Sequence, residues 1–290
     1  MKLRGPTLDD VPAIAELIER HAQEVFGESE VSGDELRHWF GLPNIWMRVA
    51  EEDGRLQGYL DVLKPSDEAA WDIYVCVVLP EAAHALLAAV EEHAAEGVLH
   101  VVSQGADPLL PGLLGAEGWL PVRHTFRMLI EFDGDLPEPV WPEGIAVRPF
   151  RPGEERRVYE ANNTVFDNGW FFEPYPFEEW LELHRGPSFD PSLWWLAEDG
   201  DELSGFSLNT WSLSGDPRYG RVGSLGVLPD YRHRGLGEAL LRHSFRDFRK
   251  RGATRVGLGV DAQNETGAVR LYERVGMHVD RRNTTYEKVM

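Results

Sequence analysis

A single cysteine, Cys76, is the only thiol in the 290-residue chain. One thiol excludes an internal disulfide and a cysteine-based metal cluster, and it fits a reducing compartment. Long apolar runs are missing too. None reaches the roughly 18 to 20 residues needed to span a bilayer, and "MKLRGPTLDD" has no apolar core of a secretory signal. A cytoplasmic chain with no membrane partner is therefore expected. Basic charge is scarce, with 29 Lys and Arg against 49 Asp and Glu, a net of −20. Phosphate neutralisation supplies most non-specific affinity for nucleic acid, so a nucleic-acid partner is not expected. Apolar residues are not scarce. They make up 42% of the chain, with ten tryptophans, enough to build sizeable cores and to exclude global disorder. The length suits two domains of roughly 145 residues each.

The basic residues that exist are concentrated. Residues 1–145 hold 27 acidic and 9 basic side chains, a net of −18, whereas 146–290 hold 22 and 20, a net of −2. Within 218–255 the balance reverses, with ten Arg or Lys against three Asp or Glu. A basic patch on an acidic body suits a small polyanion. A solvated, arginine-rich helix face is the other reading.

Self-similarity sets the architecture. "LRGPTLDDVPAIAELI" opens the chain and "VRPFRPGEERRVYEAN" repeats its strand-then-helix pattern from residue 147. "AEEDGRLQGY" (50–59) pairs with "AEDGDELSGF" (197–206), and "VVLPE" (77–81) with "GVLPD" (226–230). "GWLPVRHTFRMLIEF" (118–132) aligns without a gap on "GMHVDRRNTTYEKVM" (276–290). The order implies two tandem copies of one fold, 1–132 and 146–290, joined by a Pro-rich linker at 133–145. Each copy reads as a short strand, then helix, hairpin, strand, helix, strand, helix, strand. That is an α/β (α+β) pattern with a mixed, mostly antiparallel sheet flanked by helices. Val11, Ile14, Ala15, Ile18, Ala22 and Val25 form the first apolar helical stripe, with Asp9 or Asp10 as N-cap. Ala268, Leu271, Tyr272 and Val275 form a late one, capped by Thr266 and stopped by Gly276.

"DYRHRGLGEALL" (230–241) fits neither core nor ordinary surface. Gly235 and Gly237 lie between a strand ending near Val227 and a helix starting near Gly237. Such a junction leaves backbone N–H groups unpaired at the positive end of the helix. Glycines let a bulky anion approach that backbone, and Arg232 and Arg234 can add charge-assisted hydrogen bonds. The constellation would hold a pyrophosphate. A dinucleotide G-x-G-x-x-G fails here because Leu240 takes the third position, and the G-K-[ST] of an NTP-binding loop is absent.

"VLPDYRHRGLG" resembles the acyl-CoA loop of the GNAT superfamily of N-acyltransferases, [RQ]-x-x-G-x-[GA] after a strand ending V-x-P. "NETGAVRLYERVGM" is similar to that family's later motif, with Asn264, Tyr272 and Gly276. The resemblance covers nearly the whole chain, weakly in the first copy and strongly in the second. The tandem layout is most similar to the mycothiol-synthase-like branch. It implies a tandem of two GNAT-like domains, acetyl-CoA as co-substrate, no metal, and direct transfer of an acetyl group to the amine of a small-molecule acceptor.

The same resemblance implies roles. Backbone amides of Arg234, Gly235, Leu236 and Gly237 would cradle the pyrophosphate, with Arg232 beside them. The strand edge at Leu225, Gly226 and Val227 would pair with the pantetheine arm and polarise the thioester. Asn264 would hydrogen-bond the arm, and Tyr272 would protonate the departing thiolate. Tyr272 also lies on an apolar stripe, where core packing alone would account for it. In the branch's pattern a Glu is expected where this chain has Arg221, and no carboxylate follows before Asp230, so the base is unassigned. Asp167, Glu173 and Asp261 are the remaining candidates, each read first as a loop or capping carboxylate. Trp170, Phe171, Phe172, Tyr175, Phe177 and Trp180 either receive the acceptor, Trp170, Phe172 and Tyr175 foremost, or pack the two halves together.

The first copy runs 17 residues from Pro80 to Gly97, where the second takes 23 from Pro229 to Gly252. Its "LPEAAHALLAAVEEHAAEG" has no glycine or arginine at the junction, Leu114 stands at the position of Tyr272, and Ala106 stands near that of Asn264. The first copy is therefore expected to keep the fold without the chemistry. Two other functions fit the residues: a non-catalytic acyl-CoA-binding protein, and a protein or peptide N-acetyltransferase whose acidic half docks a basic tail.

Overall fold

A computed structural model of the chain describes residues 1–64, 70–105, 107–167, 169–170, 172–264 and 266–290. Phe171 and Ala106 lie outside the described residues. Two compact units emerge, Met1–Thr125 with Arg281–Met290, and Phe126–Asp280.

The first unit contains β1 (Lys2–Arg4), α1 (Val11–Phe26), α2 (Gly33–Trp39), β2 (Ile45–Glu52), β3 (Arg55–Leu63), β4 (Trp71–Val77), α3 (Pro80–Ala94), β5 (Val98–Gln104), α4 (Leu110–Ala116) and the start of β6 (Leu120–Glu131). Its sheet runs β1-β2-β3-β4-β5 and is completed by residues from 281 onward. These pair antiparallel with β5, from Asn283↔Gln104 to Val289↔Val98. α1 buries Val11, Ile14, Leu17, Ile18 and Ala22; of the expected stripe Ala15 and Val25 are only half-buried, and Leu17 joins it. Asp10 stands at its N-cap but does not cap it. Its carboxylate takes the Arg4 guanidinium at 2.7 Å and the Thr7 amide at 2.7 Å instead. The β2–β3 hairpin turns through Asp53 (φ 51°) and Gly54 (φ 75°), both left-handed, as a two-residue turn requires.

The second unit contains the end of β6, then β7 (Ile145–Pro149), α5 (Glu155–Phe166), α6 (Phe177–Leu183), β8 (Trp195–Asp199), β9 (Glu202–Trp211), β10 (Tyr219–Val227), α7 (Leu236–Lys250), β11 (Arg255–Asp261), α8 (Ala268–Arg274) and the start of β12 (His278–Val289). The sheet order is β6-β11-β10-β9-β8-β7, with β10 and β11 parallel and β7 to β10 antiparallel. One face buries Leu241, Phe245 and Phe248 of α7 and Tyr272 of α8 against Val222, Val256 and Leu258. Met128 and Ile130 of β6 join that core. The other face packs Val158 and Ala161 of α5 and Trp180 of α6 on Trp194, Leu196 and Phe206. The expected α+β architecture is present, a mixed and mostly antiparallel sheet between helical layers. The sequence copies end at 132 and 290, whereas the compact units meet at 125/126 and 280/281, so each unit includes the closing strand residues of the other copy.

In the first unit the α1 side of β3 carries a buried carboxyl. Asp61 is 6% exposed, and neither its Oδ2 nor the Tyr59 hydroxyl has a hydrogen-bond partner among the described residues. Burial pushes the Asp61 carboxyl up to about 7, and the neighbouring Tyr59 hydroxyl offsets only part of this. A carboxyl raised in the folded state keeps its proton longer there than in the unfolded chain. Stability therefore falls as pH rises from the unfolded value near 4 to about 7, and levels off above. Asp61→Asn removes this dependence. Between about pH 5 and pH 8, urea melts should show the stability difference moving in favour of Asn by about 2 to 3 kcal/mol. A difference that does not change with pH would mean that Asp61 is ionised in the folded protein.

Candidate active site

β10 hands over to α7 through eight residues, 228–235. Pro229–Tyr231 form a 3₁₀ turn, and the Arg232 Nε donates to the Val227 carbonyl at 3.1 Å, folding the loop back on the strand end. His233 (φ 61°) and Gly235 (φ 85°) are both left-handed, and Gly235 is the N-cap of α7. The first intrahelical bond after it is Ala239 N–H to the Gly235 carbonyl, 3.0 Å, so the amides of Leu236, Gly237 and Glu238 form the open first turn. The two glycines do different work. Gly235 supplies the positive φ, with nothing near its missing side chain. Gly237 supplies room, because a Cβ there would stand 3.3 Å from Leu271 Cδ2 and 3.6 Å from Val227 Cγ2. It lets α8 close on the start of α7.

Much of the basic patch has structural partners. Arg246 and Arg249 donate to the linker carbonyls of Leu136 and Gly134, Arg251 to Ser192 Oγ at 2.8 Å, and Arg242 to Glu238 at 2.8 Å. Arg234 is exposed at the loop tip, its guanidinium 5.5 Å from the centre of the Tyr231 ring. The arginine-rich helix face and the anion-ready loop are thus both present, in adjacent segments.

Beside the loop the sheet opens. β10 and β11 pair over three residues only, Tyr219↔Arg255 to Arg221↔Gly257, although β10 continues to Val227 and β11 to Asp261. On its other edge β10 stays paired with β9 through Val227↔Gly205, with a bulge between Val222 and Ser224. The edge at Ser224, Leu225, Gly226 and Val227 is therefore turned to a wedge rather than to a strand. Leu225, Val260, Leu271 and Tyr272 share the hydrophobic cluster at this wedge. Tyr272 is 8% exposed, and burial pushes its hydroxyl up to about 12, so it is protonated at neutral pH. Asn264 accepts the Thr266 amide at 2.9 Å and the Thr266 hydroxyl through its Oδ1, holding the turn into α8. The N-cap of α8 is Gly267 (φ 82°), not Thr266 as the sequence implied, because Asn264 already closes the turn. Gly276 (φ 98°) does stop the helix.

The aromatic segment before the hairpin divides in two. Trp180 is buried, and with Tyr175 and Phe177 it packs on Tyr159 of α5 and Trp194 inside the second unit. Trp170 is 37% exposed, and Phe172 lies half-buried, its ring centre 6.0 Å from that of Phe166. Of the carboxylates weighed as a base, Asp167 and Glu173 are exposed, and Asp261 Oδ1 accepts the Gln263 amide at 2.9 Å. Arg221 is exposed on β10. Its neighbours Gly220 and Val222 face Phe248 and the α7 core, so strand alternation turns Arg221 to the α5–α6 face. On that face lies His184, which the sequence reading did not single out. Its only signal was its place four residues after Trp180, where a core histidine would also stand.

The first unit repeats the wedge without the loop. β4 and β5 pair in parallel over Trp71↔Leu99 to Ile73↔Val101, and then β4 parts from β5 while staying paired with β3 to Val77. Only two residues, Val78 and Leu79, connect β4 to α3, and Pro80 opens the helix with no N–H to offer. Leu114 holds the fifth place of α4, as Tyr272 does in α8, and is fully buried.

A mixed sheet whose two central parallel strands part beside a strand–glycine loop–helix junction is the framework of an acyl-CoA-dependent acetyltransferase, and here it occurs as a tandem. Residues 156–277 match the Acetyltransferase (GNAT) family. The chain is 34% identical over 290 residues to a mycothiol acetyltransferase of Kineococcus radiotolerans, covering 94% of this chain and 92% of that one. It is 32% identical over 281 residues to a mycothiol acetyltransferase of Thermomonospora curvata, covering 94% and 91%. A crystal structure of a GCN5-related N-acetyltransferase from Sphaerobacter thermophilus superposes with a TM-score of 0.78 at 32% identity, over 99% of this chain and 95% of that one. A tandem GNAT protein from the clavulanic acid biosynthesis pathway shares the fold, with a TM-score of 0.80 at 15% identity over 99% and 98%. The chain belongs to the GNAT family and is an acetyl-CoA-dependent N-acetyltransferase.

Proposed function

We propose that the chain acetylates the amine of a small acceptor of the mycothiol-precursor type at one active site, in the second unit. The observation that carries this reading is the asymmetry of the two wedges. One is flanked by an eight-residue, glycine-containing loop and a buried tyrosine, the other by a two-residue connection and a leucine. The relatives named as mycothiol acetyltransferases support the choice of acceptor.

In this reading the amides of Leu236 and Gly237, with those of Arg234 and Gly235, receive the pyrophosphate at the positive end of α7. Arg232 and Arg234 add charge at the loop. The pantetheine arm lies as an extra strand in the wedge, along Leu225, Gly226 and Val227, with the Asn264 side-chain amide donating to it. A backbone N–H of that edge faces the thioester oxygen and stabilises the charge that develops there. The acceptor nitrogen attacks the carbonyl carbon, the C–S bond breaks, and the sulfur takes the proton of the Tyr272 hydroxyl. Trp170 and Phe172 form the rim that receives the acceptor, with Tyr175 packed behind them on α5. A CoA-release assay over a panel of small amines and basic peptides tests the activity. Release with peptides alone would replace the acceptor class, and acetyl-CoA binding without release under any condition would leave a binding protein.

Calorimetry should find one acetyl-CoA per chain. Gly237→Glu sets bulk and negative charge against the cradle, so it should weaken binding by about tenfold or more in folded protein, the worth of losing charge-assisted hydrogen bonds. Two sites of similar affinity, or an unchanged Kd in the variant, would relocate the donor site.

Tyr272→Phe keeps the ring in its cluster, so melting temperature and acetyl-CoA affinity should barely move. Because a CoA thiolate is already a tolerable leaving group, the loss in kcat should be roughly 30- to 300-fold, near the low end for acid–base catalysis. Turnover within about threefold of the parent, with chemistry rate-limiting, would make Tyr272 a packing residue.

A further inference from the structure

We propose that His184 is the general base of the transfer, taking the proton that the acceptor nitrogen sheds. The inference rests on the acetyltransferase reading above and goes beyond it by assigning the group which that reading leaves open. On β10 the place where a carboxylate is expected holds Arg221, and the three carboxylates weighed from the sequence are exposed or engaged in a turn.

His184 directly follows α6 and is half-buried. Its Nδ1 lies 2.7 Å from the Trp180 carbonyl oxygen. A carbonyl only accepts, so Nδ1 carries the hydrogen and Nε2 the lone pair. The ring is held at a centroid distance of 4.2 Å from Trp180 and edge-on to Trp194 at 5.8 Å. An imidazole fixed in one tautomer by a carbonyl on its far nitrogen is the arrangement a general base requires.

His184 belongs to the α5–α6 layer, the side of the sheet toward which Arg221 projects. The chain four residues on is tied to the sheet, with the Ser188 carbonyl accepting the Trp211 amide at 3.2 Å, and Trp211 pairs with Gly220 of β10. His184 also lies within the field of the Arg221 guanidinium, the last β10 residue paired with β11 before the wedge opens. Arg221 is the charged side chain that bears on the imidazole, while the Trp180 carbonyl acts in the opposite sense. Burial first, and then Arg221, hold the imidazole below its usual range, so it is neutral at pH 7 and able to accept a proton. Arginine in place of a carboxylate thus keeps a neighbouring histidine in its basic form.

The step balances. The acceptor enters as the neutral amine, its nitrogen bonds to the carbonyl carbon, and the proton it sheds goes to Nε2. The C–S bond breaks, and the sulfur takes the Tyr272 proton. Imidazolium and tyrosinate then exchange a proton through solvent, and the products are the amide and the free thiol.

His184→Asn keeps an amide donor near the Nδ1 position for the Trp180 carbonyl and removes the base. At pH 7 its kcat/KM for the amine should fall about 10²-fold, with acetyl-CoA affinity within about twofold of the parent. The deficit should shrink by about tenfold toward pH 9.5, where hydroxide can take the proton that the attacking nitrogen sheds. Added imidazole should restore part of the activity of His184→Ala. Activity of His184→Asn within about threefold of the parent at pH 7, or a deficit of constant size at every pH, would overturn the assignment. Nitrogen-15 NMR of the unaltered protein tests it independently of how the variants fold. A bare Nε2 with a protonated Nδ1 at pH 7 is expected, and an Nε2–H tautomer or an imidazolium overturns it. A parent that releases no CoA with any amine would instead refute the acetyltransferase reading, a result the NMR experiment does not share.

Discussion

The second unit is organised around a short pairing. β10 and β11 share three residues of parallel ladder and then part, although each strand continues for several residues. An unpaired strand edge inside a sheet is costly unless something occupies it, because its N–H and C=O groups require partners. The surroundings maintain the gap rather than close it. The bulge at Val222–Ser224 turns the end of β10 while β9 still holds its outer edge. Gly226 lies so close to Phe206 that a Cβ there would stand 2.2 Å from its ring, and Phe206 is fully buried. The strand end is thus fixed from its α5–α6 face while its inner edge stays parted from β11.

Both copies keep this divergence, so the parting of the strands belongs to the fold and not to the chemistry. What distinguishes them is the length of one connection. Six more residues between strand and helix turn a proline-opened helix start into an open turn of amides behind two left-handed residues. Charge follows the same division, since the first copy carries most of the net negative charge and the loop stands among arginines. A polyanion is disfavoured by the charge of the first copy and far less so by that of the second. The buried Asp61 of the first unit adds a group that the fold keeps neutral up to about pH 7.

The repeat, the element order and the loop were legible because each rests on local chemistry. The Asp53–Gly54 turn, the α1 stripe and the left-handed Gly235 all follow from residue type and spacing. The six-residue deficit in the first copy was countable and reappears as the shortened connection. Less local facts were not legible. Asp10 is drawn from capping by Arg4, which is distant from the helix in pattern but adjacent in space. Thr266 lost its cap role because Asn264 Oδ1 already accepts its amide and its hydroxyl in an Asx turn. The strand residues that complete each compact unit come from the other copy, and no pattern within a single strand records which sheet it joins. His184 was invisible for the same reason. A histidine on an aromatic helix reads as core until its tautomer and its neighbour on another strand are known.

On the reading proposed above, the wedge lets groups from opposite layers serve one carbon atom. Tyr272 belongs to the α7–α8 layer and His184 to the α5–α6 layer, with the sheet between them. Layers packed on a continuous sheet stand on the order of 10 Å from it on either side, too far for an acid and a base to reach the same centre. On the proposed reading, a thioester lying where β10 and β11 diverge presents its sulfur to one face and its carbonyl carbon to the other. On this geometry the proposed acid and base are separated by the bond being broken. The tyrosine stays protonated through burial on the donor side, and the imidazole stays neutral through burial and Arg221 on the acceptor side. Each group is then in its working protonation state at the same pH, which one carboxylate serving both faces could not provide.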